Sequence, residues 1–323
     1  MKAIRVEQTG GPEVLRIADV PDPVAGPNEV VVKVEAAGVN FIEVYQRTGL
    51  YPMSLPMIPG GEAAGTIIAL GAESIFDFKV GDRVAWQGSP GAYAELATVP
   101  VERLVKIPEG VTTDQAAAVM LQGMTAHYLA TSTYRLRSGD DCLIHAAAGG
   151  VGLLFCQIAS QIGARVFGTA STDAKAELAM AAGAKAIVDY TKKDFAVEIS
   201  GFTNGAGVKV VYDSVGKTTW EKSLDCLSPL GMLVLYGNSS GPVPPIDPLL
   251  LARKGSLYLT RPMLPHYVAT RNDLLLRANA VLDAVASGKL KVRIEQTFPL
   301  SDAGAAHALL ESRKTAGKIL LKP

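Results

Sequence analysis

The chain has 323 residues, 48% of them hydrophobic, with 32 Gly and 19 Pro, a length that exceeds one ordinary hydrophobic core and points to two domains. Its 31 basic residues balance 31 acidic ones, which argues against a nucleic-acid partner, because a polyanion calls for a basic excess. The apolar runs break off well before the roughly 20 residues of a membrane span, and no cationic, apolar leader opens the chain at Met1, so neither a membrane segment nor a signal peptide is expected.

The first third reads as short strands between turn residues: KAIRVEQTGGPEVL, EVVVKVEAAGVN, AAGTIIALG, GDRVAW and GAYAELATVP. Gly, Pro, Asp and Asn at their ends predict a compact antiparallel or barrel-like β domain. Near Asp114 the pattern changes to TDQAAAVMLQGMTAHYLATSTY, a helix-forming stretch with an Asp or Thr N-cap. From there apolar runs alternate with helical ones: DCLIHAA, GGVGLLFCQIASQIG, ARVFGTA, KAELAMAAG, AIVDY, VKVVYDSV, TWEKSLDCLSPLG and GMLVLYG. Such alternation predicts an α/β domain, a parallel sheet with helices on both faces. After about Pro262 come the helical NDLLLRANAVLDAVASG, then IEQTFPL, DAGAAHALLES and GKILLKP. Cys142, Cys156 and Cys226 form no CxxC pair. Their odd number argues against disulfides and for a reduced, cytoplasmic setting in which all three pack in the core. They are also too few and too scattered for a structural zinc.

The segment CLIHAAAGGVGLLF carries the strongest local signal. Ala147, Gly149 and Gly152 hold the GxGxxG spacing with alanine in the first place, and the loop follows an apolar strand and opens a helix, as a dinucleotide fingerprint requires. Gly149 and Gly150 would let the backbone approach a pyrophosphate held by the helix N-terminus. An NAD site places a carboxylate about 20 residues on, but FGTASTDAK offers Gly168, Thr169, Ala170 and Ser171 there. Ser171 and Lys175 favour a 2′-phosphate and hence NADPH, although a solvated surface lysine is the plain alternative for Lys175. Asp173 opposes this reading and is taken as part of the next helix's N-terminus. His145 lies in the strand before the loop and is expected to be structural.

With these pieces placed, the chain resembles the zinc-independent quinone oxidoreductases, the ζ-crystallin-like group of the medium-chain dehydrogenase/reductase superfamily. GGPEVL, AAGVNFIEVYQRTGLYP, PGGEAAG, VGDRVAW, HAAAGGVG, VVYDSVG, YGNSSG and KGSLYLTRP recur in order over nearly the full length. The resemblance implies a GroES-like β-rich catalytic domain over residues 1–122 and a Rossmann, doubly wound parallel-sheet NADPH-binding domain over 123–262. Residues 263–323 would return to the catalytic domain. It also implies a homodimer joined through the Rossmann sheet edge near KGSLYLTRP. Zinc-dependent relatives carry a metal-binding cysteine, a histidine in PGHE and a third ligand before the Rossmann domain. Asn40, Gly61 and Leu121 stand in those places here, so no metal is expected, and Glu62 is read as a hydrogen-bonding residue of its turn. The nucleotide site implied by the family comprises Asn40, Tyr45, Thr125, Gly149, Gly150, Val151, Lys175, Tyr190, Ser214, Asn238 and Arg313. Tyr190 would flank the adenosine, and Arg313 would reach the 2′-phosphate or the nicotinamide side. Both also have ordinary readings, as a packing aromatic and a surface charge.

Quinone chemistry explains how the metal can be absent. An aldehyde becomes an alcohol whose pKa is close to that of water, about 15.7, and a Lewis acid helps to stabilise the developing alkoxide. A quinone oxygen becomes phenol-like, with a pKa of about 10, so hydrogen-bond donors suffice. Asn40 and Tyr45 are the expected donors, and Tyr51 would line the cleft mouth and stack on a quinone. The alternatives are reduction of an enone or enoyl-thioester double bond by NADPH, or an NADPH-binding protein with a structural or RNA-binding role. The neutral charge weighs against RNA.

Overall fold

The computed structural model describes residues 1–73 and 77–323. It divides into two compact units: Met1–Met124 with Val268–Pro323, and Thr125–Tyr267. The first unit begins with β1 (Lys2–Arg5), β2 (Arg16–Asp19), β3 (Glu29–Val39), α1 (Phe41–Arg47), β4 (Glu62–Leu70), β5 (Arg83–Gln87), β6 (Leu96–Pro100) and β7 (Leu104–Lys106), followed by α2 (Thr113–Tyr128). The expected first strand stops at Arg5, because Gly10, Gly11 and Pro12 turn the chain into one 3₁₀ turn over Pro12–Val14. α2 starts from Thr112, whose hydroxyl accepts the Gln115 N–H while the Gln115 side chain accepts the Thr112 N–H, a reciprocal capping box. α1 has no counterpart among the expected elements.

The second unit contains β8 (Asp141–Ile144), α3 (Gly150–Ile162), β9 (Arg165–Ala170), α4 (Asp173–Ala181), β10 (Ala186–Asp189) and α5 (Phe195–Phe202). It continues with β11 (Val208–Asp213), α6 (Trp220–Asp225), β12 (Leu227–Leu235), α7 (Pro248–Arg253), β13 (Tyr258–Thr260) and α8 (Leu264–Tyr267). Its six strands are all parallel, in the order β10-β9-β8-β11-β12-β13. The order reverses direction between β8 and β11, the switch point at which doubly wound sheets bind ligands beyond the strands' carboxyl ends. Leu143, Phe167, Val188, Val211 and Leu233 fill its core. Near-continuous burial along β8, β9 and β11 reflects a sheet covered on both faces.

The chain then re-enters the first unit through α9 (Arg271–Ala286), β14 (Ile294–Pro299), α10 (Ala303–Glu311) and β15 (Lys318–Lys322). The sheet of that unit runs β14-β15-β3-β4-β5-β7, with β6 also paired to β3. β15 lies antiparallel to β3, Ile319 opposite Val39 and Leu321 opposite Ala37. This pairing brings Lys318, from the end of the chain, to the end of β3 where Asn40 begins α1. Trp86, Tyr93, Ile4, Ile67 and Leu321 pack the core beneath.

Candidate active site

Asn40 caps α1, and the asparagine with Glu43 three residues on forms half of a capping box: the Glu43 carboxylate accepts the Asn40 N–H at 2.7 Å. Its other oxygen accepts the Gly61 N–H at 3.2 Å. Glu43, not Glu62, therefore ties down the PGGE turn. Glu62 instead joins three segments. It accepts the Leu121 N–H at 2.6 Å, the Asn40 amide at 2.9 Å and the Lys318 ammonium at 2.5 Å. Lys318 also donates to the Asn40 side-chain oxygen at 2.7 Å, and Gln122 donates to the same oxygen at 3.1 Å. All five side chains are buried. The ammonium binds Glu62 directly and reaches Glu43 only through its field; among the described residues Glu43 has only backbone donors, and burial raises its pKa to about 7.

This geometry alters the role expected of Asn40. Its oxygen is taken by two donors, and one amide hydrogen is directed at Glu62. The amide nitrogen's other contact, to the Gly38 carbonyl, is a long 3.4 Å. The amide is held in one orientation and is not simply free to meet a substrate. Tyr45, one turn further along α1, packs edge-on against Tyr51, with ring centroids 5.3 Å apart. The Tyr51 N–H donates to the Tyr45 carbonyl at 3.0 Å. Asn40, Tyr45 and Tyr51 thus come from one short segment of the first unit. A Cβ placed on Gly61 would meet one atom within 4 Å among the described residues, Oε1 of Glu43 at 3.8 Å, so there is open volume beside the turn. Arg313 belongs to this unit as well, exposed between α10 and β15 with a left-handed φ of 59°.

In the second unit the expected nucleotide residues line up at the carboxyl ends of successive parallel strands. Ala146 to Gly149 follow β8, with Ala146 at φ 53°. Gly149 caps α3 without a side-chain hydrogen bond, so the first N–H groups of the helix, at Gly150 and Val151, receive no side-chain cap from it. Gly152 is required by packing: a Cβ there would lie 2.4 Å from the Ala146 carbonyl oxygen and 2.6 Å from that of Ala147. Ser171 and half-buried Lys175 follow β9, and Tyr190, 46% exposed, follows β10. Asp173 lies in the first turn of α4 and pairs with Lys192 at 3.3 Å, which offsets its charge beside Lys175. Ser214 follows β11 and accepts the Ser239 N–H at 3.1 Å, next to Asn238 beyond β12. Thr125, at the start of this unit, is buried in α2. His145 is buried between Thr169 and Ser223, at 3.1 and 2.9 Å. Burial lowers its pKa, which suits a neutral, structural histidine.

Two family models match the chain, the alcohol dehydrogenase GroES-like domain over residues 26–109 and the zinc-binding dehydrogenase over residues 150–265. The quinone oxidoreductase of Pseudomonas aeruginosa is 46% identical across 100% of this chain and 99% of its own length. The crystal structure of Escherichia coli quinone oxidoreductase complexed with NADPH superposes with a TM-score of 0.98 at 42% identity, covering both chains fully. The chain belongs to the quinone oxidoreductase family of the medium-chain dehydrogenases/reductases. A 2-haloacrylate reductase from Burkholderia is also 41% identical over 98% of each chain.

As a zinc-independent member of this superfamily, the chain has a donor set that does not fit the metal. At the three ligand places Asn40 offers a committed amide, Gly61 no side chain and Leu121 only its backbone. Among the described residues, no three His, Cys, Asp or Glu side chains gather in a metal-holding arrangement. The three cysteines are buried thiols with raised pKa values, those of Cys156 and Cys226 reaching about 12. Sequence reasoning missed Glu43, Gln122 and Lys318. Asn-x-x-Glu at 40–43 was a legible capping signal for Glu43. Nothing local marks Lys318, which sits 278 residues from its Asn40 partner.

Proposed function

We propose that this protein is an NADPH-dependent, zinc-independent quinone oxidoreductase. The observation that carries the reading is full-length identity of 46% with a quinone oxidoreductase. The open first turn of α3 under Gly149 fits a dinucleotide diphosphate, and Gly150 and Val151 would hold it. Ser171 and Lys175 would take the 2′-phosphate, with Tyr190, Ser214, Asn238, Thr125 and Arg313 completing the nucleotide contacts. When bound, the reduced nicotinamide supplies the hydride. In the first unit Tyr45 polarises the quinone carbonyl and stabilises the phenolate-like oxygen, and Tyr51 stacks on the ring. Asn40, whose amide is committed to Glu62, Lys318 and Gln122, would position the segment that carries Tyr45. No helix among the described residues is long and apolar enough to cross a membrane. The absence of a disulfide pattern supports a cytoplasmic setting.

Two measurements test this reading. Tyr45→Phe should lower kcat for a quinone about 100-fold at saturating NADPH, and wild-type kcat in the variant would remove Tyr45 from the chemistry. Lys175→Ala should weaken NADPH about 10- to 100-fold, the weight of one charged hydrogen bond, and leave NADH nearly unchanged. Equal losses for both would mean that Lys175 does not meet a 2′-phosphate. A second reading, reduction of a carbon–carbon double bond next to a carbonyl, is favoured by the 2-haloacrylate reductase relative. NADPH oxidation with a quinone and with 2-chloroacrylate separates the two.

A further inference from the structure

Hydride addition to a quinone yields a hydroquinone monoanion, and the neutral product requires one proton. We propose that Glu43 is the catalytic acid of this reaction: it passes its proton, directly or through one bridging water, to the anionic oxygen in the open volume beside Gly61. The inference rests on the quinone-reduction reading. Glu43 Oε1 borders the place where a Gly61 side chain would stand, at 3.8 Å, while Asn40 N–H and Gly61 N–H fix the carboxyl in position. Glu62, the other buried carboxylate at this turn, is tied to Leu121 N–H at 2.6 Å and to the Asn40 amide and the Lys318 ammonium, whereas Oε1 of Glu43 accepts a single, longer contact, from Gly61 N–H at 3.2 Å.

The charged and titratable groups around Glu43 come from β15, β4, α10, the loop ahead of β6 and its own helix. Burial, the largest influence, and Glu62 on β4 favour the protonated form; Lys318 on β15 and the Gly61 and Asn40 N–H donors favour the ionised form, and the balance lies at about 7. Arg47, on the same helix, is paired with Glu311 of α10 at 2.9 Å. The Tyr93 phenol, ahead of β6, is bound to His307 of α10 at 3.1 Å and carries a strongly raised pKa from burial and from Glu43 and Glu62. An acid balanced near neutrality both donates and refills readily. The step is complete in atoms and electrons. NADPH gives two electrons and a hydrogen as hydride and leaves as NADP⁺, Glu43 gives the proton, and solvent returns one to its carboxylate.

The test compares wild type, Glu43→Gln and Glu43→Asp with NADPH and 1,4-benzoquinone from pH 5.5 to 8.5. The protonated acid is the active form, so wild-type kcat should hold below pH 7 and fall above it. Glu43→Gln should lose about 100-fold at pH 6 together with the inflection, and Glu43→Asp should recover part of the rate with an inflection. Because the glutamine amide would face two backbone donors, infrared spectra of the wild-type enzyme provide a measurement independent of folding in the variants. They should show a protonated-carboxyl band that disappears near pH 7. A carboxyl that is ionised at pH 6, or a Glu43→Gln enzyme with wild-type kcat and the same inflection, overturns the role of Glu43 while the activity stands. A wild-type chain idle with the quinone overturns the activity reading and this role together.

Discussion

His307 shows how burial alone sets the behaviour of a titrating residue. Enclosed in α10 with Tyr93 on one nitrogen, it has its pKa depressed to about 3 by burial first and by the Arg47 charge second. The unfolded chain binds this proton near 6.5 and the folded chain only near 3. The stability it contributes is therefore complete above pH 6.5 and lost as pH falls toward 3. We expect acidification across that window to destabilise the wild type by a few kcal/mol, on the order of 1.4 per pH unit, and His307→Gln by less. Urea unfolding at pH 7 and pH 4 measures the difference, and identical losses would show that His307 does not carry it. The same separation by surroundings distinguishes Glu43 from Glu62: one meets only backbone donors, the other an ammonium.

At the scale of elements, the β8-loop-α3 unit is the part most completely specified by local sequence. Its strand, its glycines and its helix are contiguous, and the spacing of Gly149 and Gly152 states the geometry directly. The structure adds the reason for Gly152, whose missing Cβ lets two backbone carbonyls close on the helix. Gly152→Ala forces backbone atoms apart and should destabilise the protein by about 1–3 kcal/mol, with NADPH affinity falling along with it. Denaturant unfolding and NADPH fluorescence titration check this, and an alanine variant with native affinity and stability would show that the loop yields freely. α1 was harder to read. Its seven residues are too few for a clear helical period, and it holds its shape because Glu43 ties Asn40 to the Gly61 turn.

For the whole molecule, one edge of the parallel sheet is β13, paired on one side with β12. Tyr258 is 57% exposed there and Leu259 37%. An edge with unpaired backbone groups and apolar side chains invites strand pairing with a second copy, so we propose a homodimer across β13. Leu259→Lys should shift it toward monomer at about 10 µM in light scattering after size exclusion. A wild type that is already monomeric, or a variant of unchanged mass, would rule this edge out.

Sequence alone specified the parallel α/β character of the second unit, the dinucleotide loop, the missing carboxylate after β9 and the loss of metal ligands at Asn40, Gly61 and Leu121. The first three are local, resting on periodicity, glycine spacing and side-chain chemistry within a few residues, and the last is what the resemblance to zinc-dependent relatives implies. It specified much less of the arrangement around Asn40. There the amide orientation depends on Lys318, delivered by β15 from the far end of the chain. The burial that moves Glu43 to near-neutral pKa exists only once β3, β4 and β15 have closed around it. Hydrogen-bond partners and desolvation are properties of assembled neighbours, so only the tertiary structure decided which carboxylate pairs with the Lys318 ammonium and which is raised by burial.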